Sequence, residues 1–162
     1  MMGSASLLGF IPHHAGIIVS DLDTAMKAFI RDLGYRFYQL EVNEKNSTLS
    51  GSSASFALRF GLGQLGLNTI ELIQPGAGAT LYSQHLAQAG PGLHHLAYST
   101  TDLGAARKQF DARGYACIES GSIRGLVDFS YYNVKEIGCV VEPLQFSCDL
   151  FTFLLQNAQP FP

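Results

Sequence analysis

The chain has 162 residues, 47% of them hydrophobic and 14% charged, with a formal net charge of −3. That length fits one domain or two fused modules of about 80 residues each, and the apolar share excludes a disordered chain. Without a basic stripe to neutralise phosphates, a nucleic-acid partner is excluded as well.

In chain order, the first element is a short strand. His13-His14 leads into the β-branched run Ala15–Val19. Asp21 then stands where a helix N-cap belongs, its carboxylate able to accept from the free amides of the first turn. Leu22, Ala25, Met26, Phe29, Ile30 and Leu33 follow at i, i+3, i+4, i+7, i+8 and i+11, one apolar stripe at helical period. Gly34 is placed to end that helix in a left-handed turn. Three strands are predicted next, over Tyr35–Val42, Ser53–Phe60 and Thr69–Gln74, separated by Gly/Ser turns at Leu49–Ser52 and Gly61–Gly66. Pro75–Gly92 is a connector holding a short helix over Leu81–Ala89.

The second half repeats the first. A strand over Leu96–Thr101 begins after His94-His95, Asp102 caps a helix, Gly114 ends it, and strands follow over Ala116–Ser120, Val127–Asn133 and Gly138–Phe146. At one constant offset His13 meets His94, His14 meets His95, Asp21 meets Asp102, Leu22 meets Leu103 and Phe29 meets Phe110. Further on, Glu71-Leu72-Ile73-Gln74 echoes Glu142-Pro143-Leu144-Gln145. Neither segment is of low complexity, so chance matching is the weaker explanation. Each half reads βαβββ. The fold class is therefore α+β, with module one over about 11–75, a connector over 76–92, module two over about 93–146 and a C-terminal segment over 147–162. Asp149–Leu155 is expected to form a closing apolar turn of helix against the sheet or a partner subunit.

A βαβββ half cannot bury both faces of its sheet, so the halves should pair about a pseudo-twofold axis and form a cupped mixed sheet. His14 and His95 then begin equivalent strands, and Glu71 and Glu142 lie centrally in equivalent later ones. The two-residue period of a strand aims all four at one concave face. Two imidazoles and two carboxylates suit a divalent ion such as Zn, Ni, Co, Mn or Fe, with ligand positions left open at six-coordination. Taken singly, each residue has a plainer explanation: a half-exposed strand His, or an outward Glu on a half-buried sheet. Recurrence at matched positions favours the metal site. His13 and His94 have the opposite parity and are expected to point away, as structural or supporting residues. His85, in the connector, is expected at the surface. Wall positions are expected among Phe56, Leu58, Phe60, Phe129 and Tyr131.

Other features set the surroundings. Arg59, Arg107, Arg113 and Arg124 are scattered, enough to grip one acidic substrate. Cys117, Cys139 and Cys148 form no CxxC pair and are odd in number, which predicts free buried thiols in a reducing compartment. The opening residues lack a basic start, and no stretch reaches the roughly 18 apolar residues of a membrane span, so a cytoplasmic protein without a membrane partner is expected.

These residues resemble the vicinal oxygen chelate (glyoxalase / bleomycin resistance / dioxygenase) superfamily. His14-Ala15-Gly16-Ile17-Ile18-Val19-Ser20-Asp21-Leu22 is similar to its opening His-x-Gly-Ile-x-Val-x-Asp-Leu segment. Thr69-Ile70-Glu71-Leu72-Ile73-Gln74-Pro75 resembles its ELLEP strand, and Val141-Glu142 its closing VEL. Gly92-Leu93-His94-His95-Leu96-Ala97 is similar to the Gly-(Ile/Leu)-His-His segment of methylmalonyl-CoA epimerases. The resemblance covers roughly residues 11–146. It implies His14, Glu71, His95 and Glu142 as ligands of one divalent metal, Glu142 and Glu71 as the catalytic carboxylates, and often a homodimer. The implied activity is a metal-dependent isomerase, epimerase or lyase that abstracts a proton α to a carbonyl, on a small substrate such as an acyl-CoA or other acidic carbonyl compound. Two departures stand out. Pro143 removes an amide from its strand, which predicts an edge or a bulge. No Asp or Glu occurs between Glu44 and Glu71 to serve as a second base from the intervening strand; Tyr131 and Tyr132 are candidate substitutes, with core or rim aromatics as the plainer reading. The alternatives are an Fe(II) ring-cleaving dioxygenase using His14, His95 and Glu142, which Glu71 argues against, and a metal-free small-molecule binding or resistance protein, which the intact His/Glu set argues against.

Overall fold

A computed structural model describes residues 9–49, 52–123, 125–148 and 158–162, apart from the side chains of 44–49 and 52–54. The elements run β1 (Ile11–Ile18), α1 (Leu22–Leu33), β2 (Arg36–Leu49), β3 (Ser52–Leu65), β4 (Asn68–Pro75), α2 (Leu81–Ala89), β5 (Gly92–Ser99), α3 (Leu103–Ala112), β6 (Cys117–Ile123), β7 (Val127–Val134), β8 (Cys139–Phe146) and β9 (Gln159–Pro160). The strands form one mixed sheet in the order β6-β7-β8-β5-β1-β4-β3-β2-β9. Its centre is the antiparallel pair β1·β5, and on each side the order is the same: β1 runs parallel to β4, and β5 parallel to β8. The two ends of this order curl together until β2 touches β6, which gives the cup. No helix among the described residues is long and apolar enough to cross a membrane.

The repeat extends to individual hydrogen bonds. Asp21 caps α1 by accepting from the Thr24 amide at 2.7 Å, and Asp102 caps α3 by accepting from the Ala105 amide at 2.8 Å. The next free amide of each helix, on Leu22 and Leu103, donates to the side-chain oxygen of Gln74 and of Gln145, each at 2.8 Å. Each of these glutamines lies three residues after the glutamate of its strand. The helix start, the later strand and the glutamate are thereby locked in one register in both modules.

Core packing follows the apolar stripes. On the outer face Leu22 and Met26 of α1 bury against Phe37, Ile70 and Leu72. Phe110 of α3 stacks on Tyr132 with ring centroids 4.4 Å apart. The cup interior is lined by the largest cluster, including Leu40, Phe60, Phe129, Tyr131 and Leu144, and α2 contributes Tyr82 to it. A capping box holds α2 in place: the Ser83 amide donates to Thr80 Oγ1 at 3.1 Å, and the Thr80 amide donates to Ser83 Oγ at 2.9 Å.

Several expectations need correction. Gly61–Gly66 is not a turn. β3 runs on to Leu65, and the turn is Gly66-Leu67. The glycines are there for space: a Cβ on Gly61 would lie 2.8 Å from Met26 Sδ, and one on Gly63 2.4 Å from Phe37 Cε1. Pro143 lies neither at an edge nor at a shift of strand register. It sits in β8 between β5 and β7, and the β7 ladder skips Ser130 and Tyr131, where no Pro143 amide exists to donate. Arg107 ties that stretch instead, its Nε donating to Ser130 Oγ at 2.7 Å and its Nη2 to the Phe129 carbonyl at 3.2 Å. The cysteines are free but not buried: Cys117 opens β6 at the sheet edge and is exposed, and Cys139 and Cys148 are half-buried. Asp149–Leu155 and the centre of the Leu49–Ser52 turn lie outside the described residues.

Candidate metal centre

The four residues singled out by the repeat meet at one point beside the β1·β5 seam. His14 Nε2 and His95 Nε2 lie 3.1 Å apart. Glu71 Oε2 is 3.4 Å from the first nitrogen and 3.7 Å from the second. Glu142 Oε2 is 3.5 Å and 3.2 Å from them. The side chains of His14, His95 and Glu142 are only 5%, 0% and 7% exposed, and that of Glu71 is 16% exposed. The donor atoms of His14, Glu71 and His95 alone meet the spacing of a metal-ligand group.

The donor set fits a divalent ion on two observations. Bonds of about 2.0–2.2 Å to nitrogen and oxygen place neighbouring donors roughly 3.0–3.5 Å apart, close to the separations found. Glu142 Oε2 is moreover sealed from solvent with no hydrogen-bond partner among the described residues, although two imidazole nitrogens flank it. A buried carboxylate oxygen left so is costly unless a cation satisfies it. The metal-free electrostatics carry the same strain. Burial disfavours a charged His14, but Glu71 and Glu142 outweigh it and push its pKa up to about 10. Burial would raise Glu142, and His95 and His14 hold it below the usual carboxylate range.

Backbone irregularity positions the histidines. The β1·β5 ladder shifts register twice, between Pro12 and His14 and between Gly16 and Ile17. In the first shift His13 is the extra residue; in the second, with Gly16 opposite His95 and Ile17 opposite Leu93, it is His94. His13 and His94 therefore do not point away as strand parity suggests. His13 lines the cup and packs on Phe146, with ring centroids 5.1 Å apart. His94 is buried against Tyr82 and Tyr131. His85 is half-buried rather than on the surface, its ring 5.3 Å from that of His94. Burial, and next the neighbouring histidine (His14 and His95 respectively), lowers the pKa of His13 to about 4 and of His94 to about 3. Gly16 completes the site, since the His95 ring occupies the space where a Cβ would stand.

The cup above the four donors is apolar. As a cavity it measures about 50 Å³, lined by Leu40, Phe60, Leu62, Val127, Phe129 and Phe146, among others. Of the predicted wall residues, Phe60, Phe129 and Tyr131 line it, while Phe56 and Leu58 are buried in the same core cluster without lining it. Tyr131 hydrogen-bonds Tyr82 hydroxyl to hydroxyl at 2.5 Å. Burial, then the charge of Glu142, pushes both phenols well above their ordinary pKa. Both hydroxyls therefore keep their protons, and either can be the donor in their mutual bond. Tyr132 faces the other way, under α3. The described arginines are not part of the lining: Arg59 pairs with Asp23 at 2.9 Å, Arg107 holds β7, and Arg113 bonds Gln109 within its own helix segment. Arg124 lies outside the described residues. Sequence reasoning missed Tyr82, for which the connector gave no signal. It also missed the bulges, for which the doubled His-His pair was the available signal.

Comparison with known proteins agrees with this fold. The model of the Glyoxalase/Bleomycin resistance protein/Dioxygenase superfamily matches residues 13–131, leaving β8 and Glu142 beyond its end. A hypothetical protein from Bacillus halodurans C-125 superposes with a TM-score of 0.70 at 14% identity, over 87% of this chain and 97% of its own. Methylmalonyl-CoA epimerase from Mycobacterium tuberculosis gives 0.68 at 21%, over 94% and 97%. A variant of the Streptomyces coelicolor epimerase, in complex with 2-nitronate-propionyl-CoA, gives 0.67 at 20%, over 85% and 97%. At such identities the likeness is one of fold. No curated protein matches the chain.

Proposed function

The chain belongs to the glyoxalase/bleomycin resistance protein/dioxygenase superfamily, and on that premise we propose that it is a metal-dependent isomerase, epimerase or lyase that removes a proton α to a carbonyl, of the methylmalonyl-CoA epimerase or glyoxalase I kind. One observation carries this reading: two imidazole nitrogens and two carboxylate oxygens lie within 3.1–3.7 Å of one another along every His–His and His–Glu pair, and one of those oxygens is buried without a hydrogen-bond partner among the described residues. His14, Glu71, His95 and Glu142 would hold one divalent ion, from among Co, Ni, Zn, Mn and Fe. Bound there, the ion supplies stabilisation of the negative charge that grows on a substrate oxygen. Glu71 as a fourth donor sets this group apart from the two-His, one-carboxylate site of Fe(II) oxygenases.

The chain's own groups divide the remaining work. Glu71 and Glu142 reach the site from different modules, and one or both of them takes the α-proton and returns it. Tyr82 and Tyr131, held protonated, have one O–H between them beyond their mutual bond to offer a substrate oxygen. The apolar lining keeps water from the deprotonated carbon. A small apolar cup suits the acyl end of a substrate, with the bulk outside it, and an acyl-CoA or other acidic carbonyl compound is the class we favour. A solved epimerase of this fold, in complex with methylmalonyl-CoA, supports that choice. The test is deuterium wash-in at the α-carbon, by mass spectrometry, with protein loaded with Co or Mn. Exchange on methylmalonyl-CoA or a hemithioacetal is expected. No exchange over a broad panel, from protein carrying one ion per chain, overturns the reading.

A further inference from the structure

Each candidate ligand histidine has a histidine partner of its own. His14 Nδ1 lies 2.7 Å from His13 Nδ1, and His95 Nδ1 lies 3.0 Å from His94 Nδ1. Consecutive residues of a regular strand face opposite sides, so neither contact forms without the bulge beside it. The same local irregularity thus recurs in both modules with the same outcome.

The hydrogen-bond chemistry leaves one proton arrangement. A neutral imidazole carries its proton on one nitrogen and accepts at the other. A ring that presents its Nε2 lone pair to the four-donor cluster keeps its proton on Nδ1, and that proton needs an acceptor. We propose that His13 and His94 are positioning residues, which accept the Nδ1–H of His14 and His95 and so hold both Nε2 lone pairs on the common point. This inference rests on the metal reading above for the use made of those lone pairs. His13 and His94 must then carry their own protons on Nε2.

Two further observations suit the role. The accepting rings are themselves held. His94 is 7% exposed, with the rings of Tyr82 and His85 each 5.3 Å away and that of Tyr131 at 5.7 Å, and His13 lies against Phe146. A neutral acceptor also suits the charge of the site. Glu71 and Glu142 already balance a divalent ion, and a third or fourth carboxylate behind the histidines would leave uncompensated charge in a buried place.

Long-range proton–nitrogen NMR on the full-length, isotope-labelled protein, metal-free and titrated with zinc chloride, reads the tautomers directly. The expected pattern is protons on Nδ1 of His95, and of His14 once zinc is bound, with protons on Nε2 of His94 and His13. His94→Leu and His13→Leu should each lower zinc affinity about 10- to 100-fold. His94→Gln, whose side-chain oxygen accepts the same bond, should recover most of that loss. A neutral His94 or His13 with its proton on Nδ1 overturns the inference, and so do leucine variants that keep wild-type zinc affinity. The metal-free spectra judge the hydrogen bonds even if a leucine variant does not fold. Wild-type protein that binds no zinc but shows the expected tautomers would count against the metal reading alone.

Discussion

Replacing Gly16 with alanine tests whether the His95 ring has any second place to go. Gly16 lies opposite His95 across the β1·β5 pair, and a Cβ built on it would be 2.0 Å from Cε1, 2.2 Å from Nε2 and 2.5 Å from Nδ1 of that ring. Gly16 is absent from the glycines with positive φ, so the effect is collision and not backbone strain. Ordinary contact begins near 3.4 Å, which requires the ring to withdraw by about 1.5 Å. The ring is fully buried, backed by Tyr131 at 5.3 Å between centroids and by His94 at 5.2 Å. Overpacking of this kind costs about 1–3 kcal/mol of stability. A site built to about 0.5 Å tolerance should also lose at least ~100-fold in zinc affinity, or about 2.7 kcal/mol. The assays are urea denaturation and competition for zinc with a chromophoric chelator. Gly92→Ala is the control, since it lies in the same strand pair, has ordinary φ and meets nothing within 4 Å, and it should stay near wild type. A Gly16→Ala protein that binds zinc as tightly as wild type would refute the placement of His95.

Three further outcomes are expected. In metal-free protein His14 titrates at about 10 against an ordinary 6.5, because Glu71 and Glu142 outweigh the burial that opposes its charge, so its stabilising contribution is complete below about pH 6.5 and fades as pH rises through 10. Glu142, held below its ordinary 4.5 by His95 and His14 against the opposing effect of burial, contributes above that pH and loses its contribution as pH falls through its folded pKa, while His13 and His94, neutral in the fold down to about 4 and 3, take up protons on unfolding below about 6.5; urea titrations should show stability rising towards about pH 6.5 and declining above it, and a flat profile from 6.5 to 10 would contradict the buried pairing. Tyr131→Phe leaves the buried Tyr82 hydroxyl without its partner and should cost about 1–3 kcal/mol in denaturation, with the Tyr82→Phe/Tyr131→Phe double variant recovering part of the loss; a loss equal to the sum of the two single variants would contradict the direct hydroxyl pair. Asp102→Ala removes the α3 cap and should cost about 1 kcal/mol with zinc affinity unchanged, since the cap lies outside the four-donor cluster; an altered zinc affinity would show that the helix start and the site are coupled through Gln145.

The pairing of halves was legible because it recurs at several levels. Asp21 and Asp102, Gln74 and Gln145, and the four candidate ligands are each repeated, and the two-residue period of a strand turned those repeats into directions. What stayed hidden broke that period or the local propensity. Two bulges, each one residue long, turned His13 and His94 inward, and a bulge leaves no signature beyond the doubled histidines themselves. Gly61 and Gly63 read as turn residues, yet they lie within a strand of 14 residues because Met26 and Phe37 take up the volume a side chain would need. Pro143 read as an edge signal, but a central strand tolerates it where Arg107 ties the neighbouring strand by other bonds. Tyr82 entered the cup from a helix whose position depends on tertiary packing, which no pattern within Leu81–Ala89 specifies.

Cobalt titration of protein purified without chelator or nickel affinity steps is the most direct measurement. Binding of one ion per chain, abolished in His95→Ala and Glu142→Gln proteins that keep the wild-type circular dichroism, is the predicted result. Failure to bind stoichiometrically, or binding that survives both substitutions unchanged, would contradict a metal centre at the seam of the two modules.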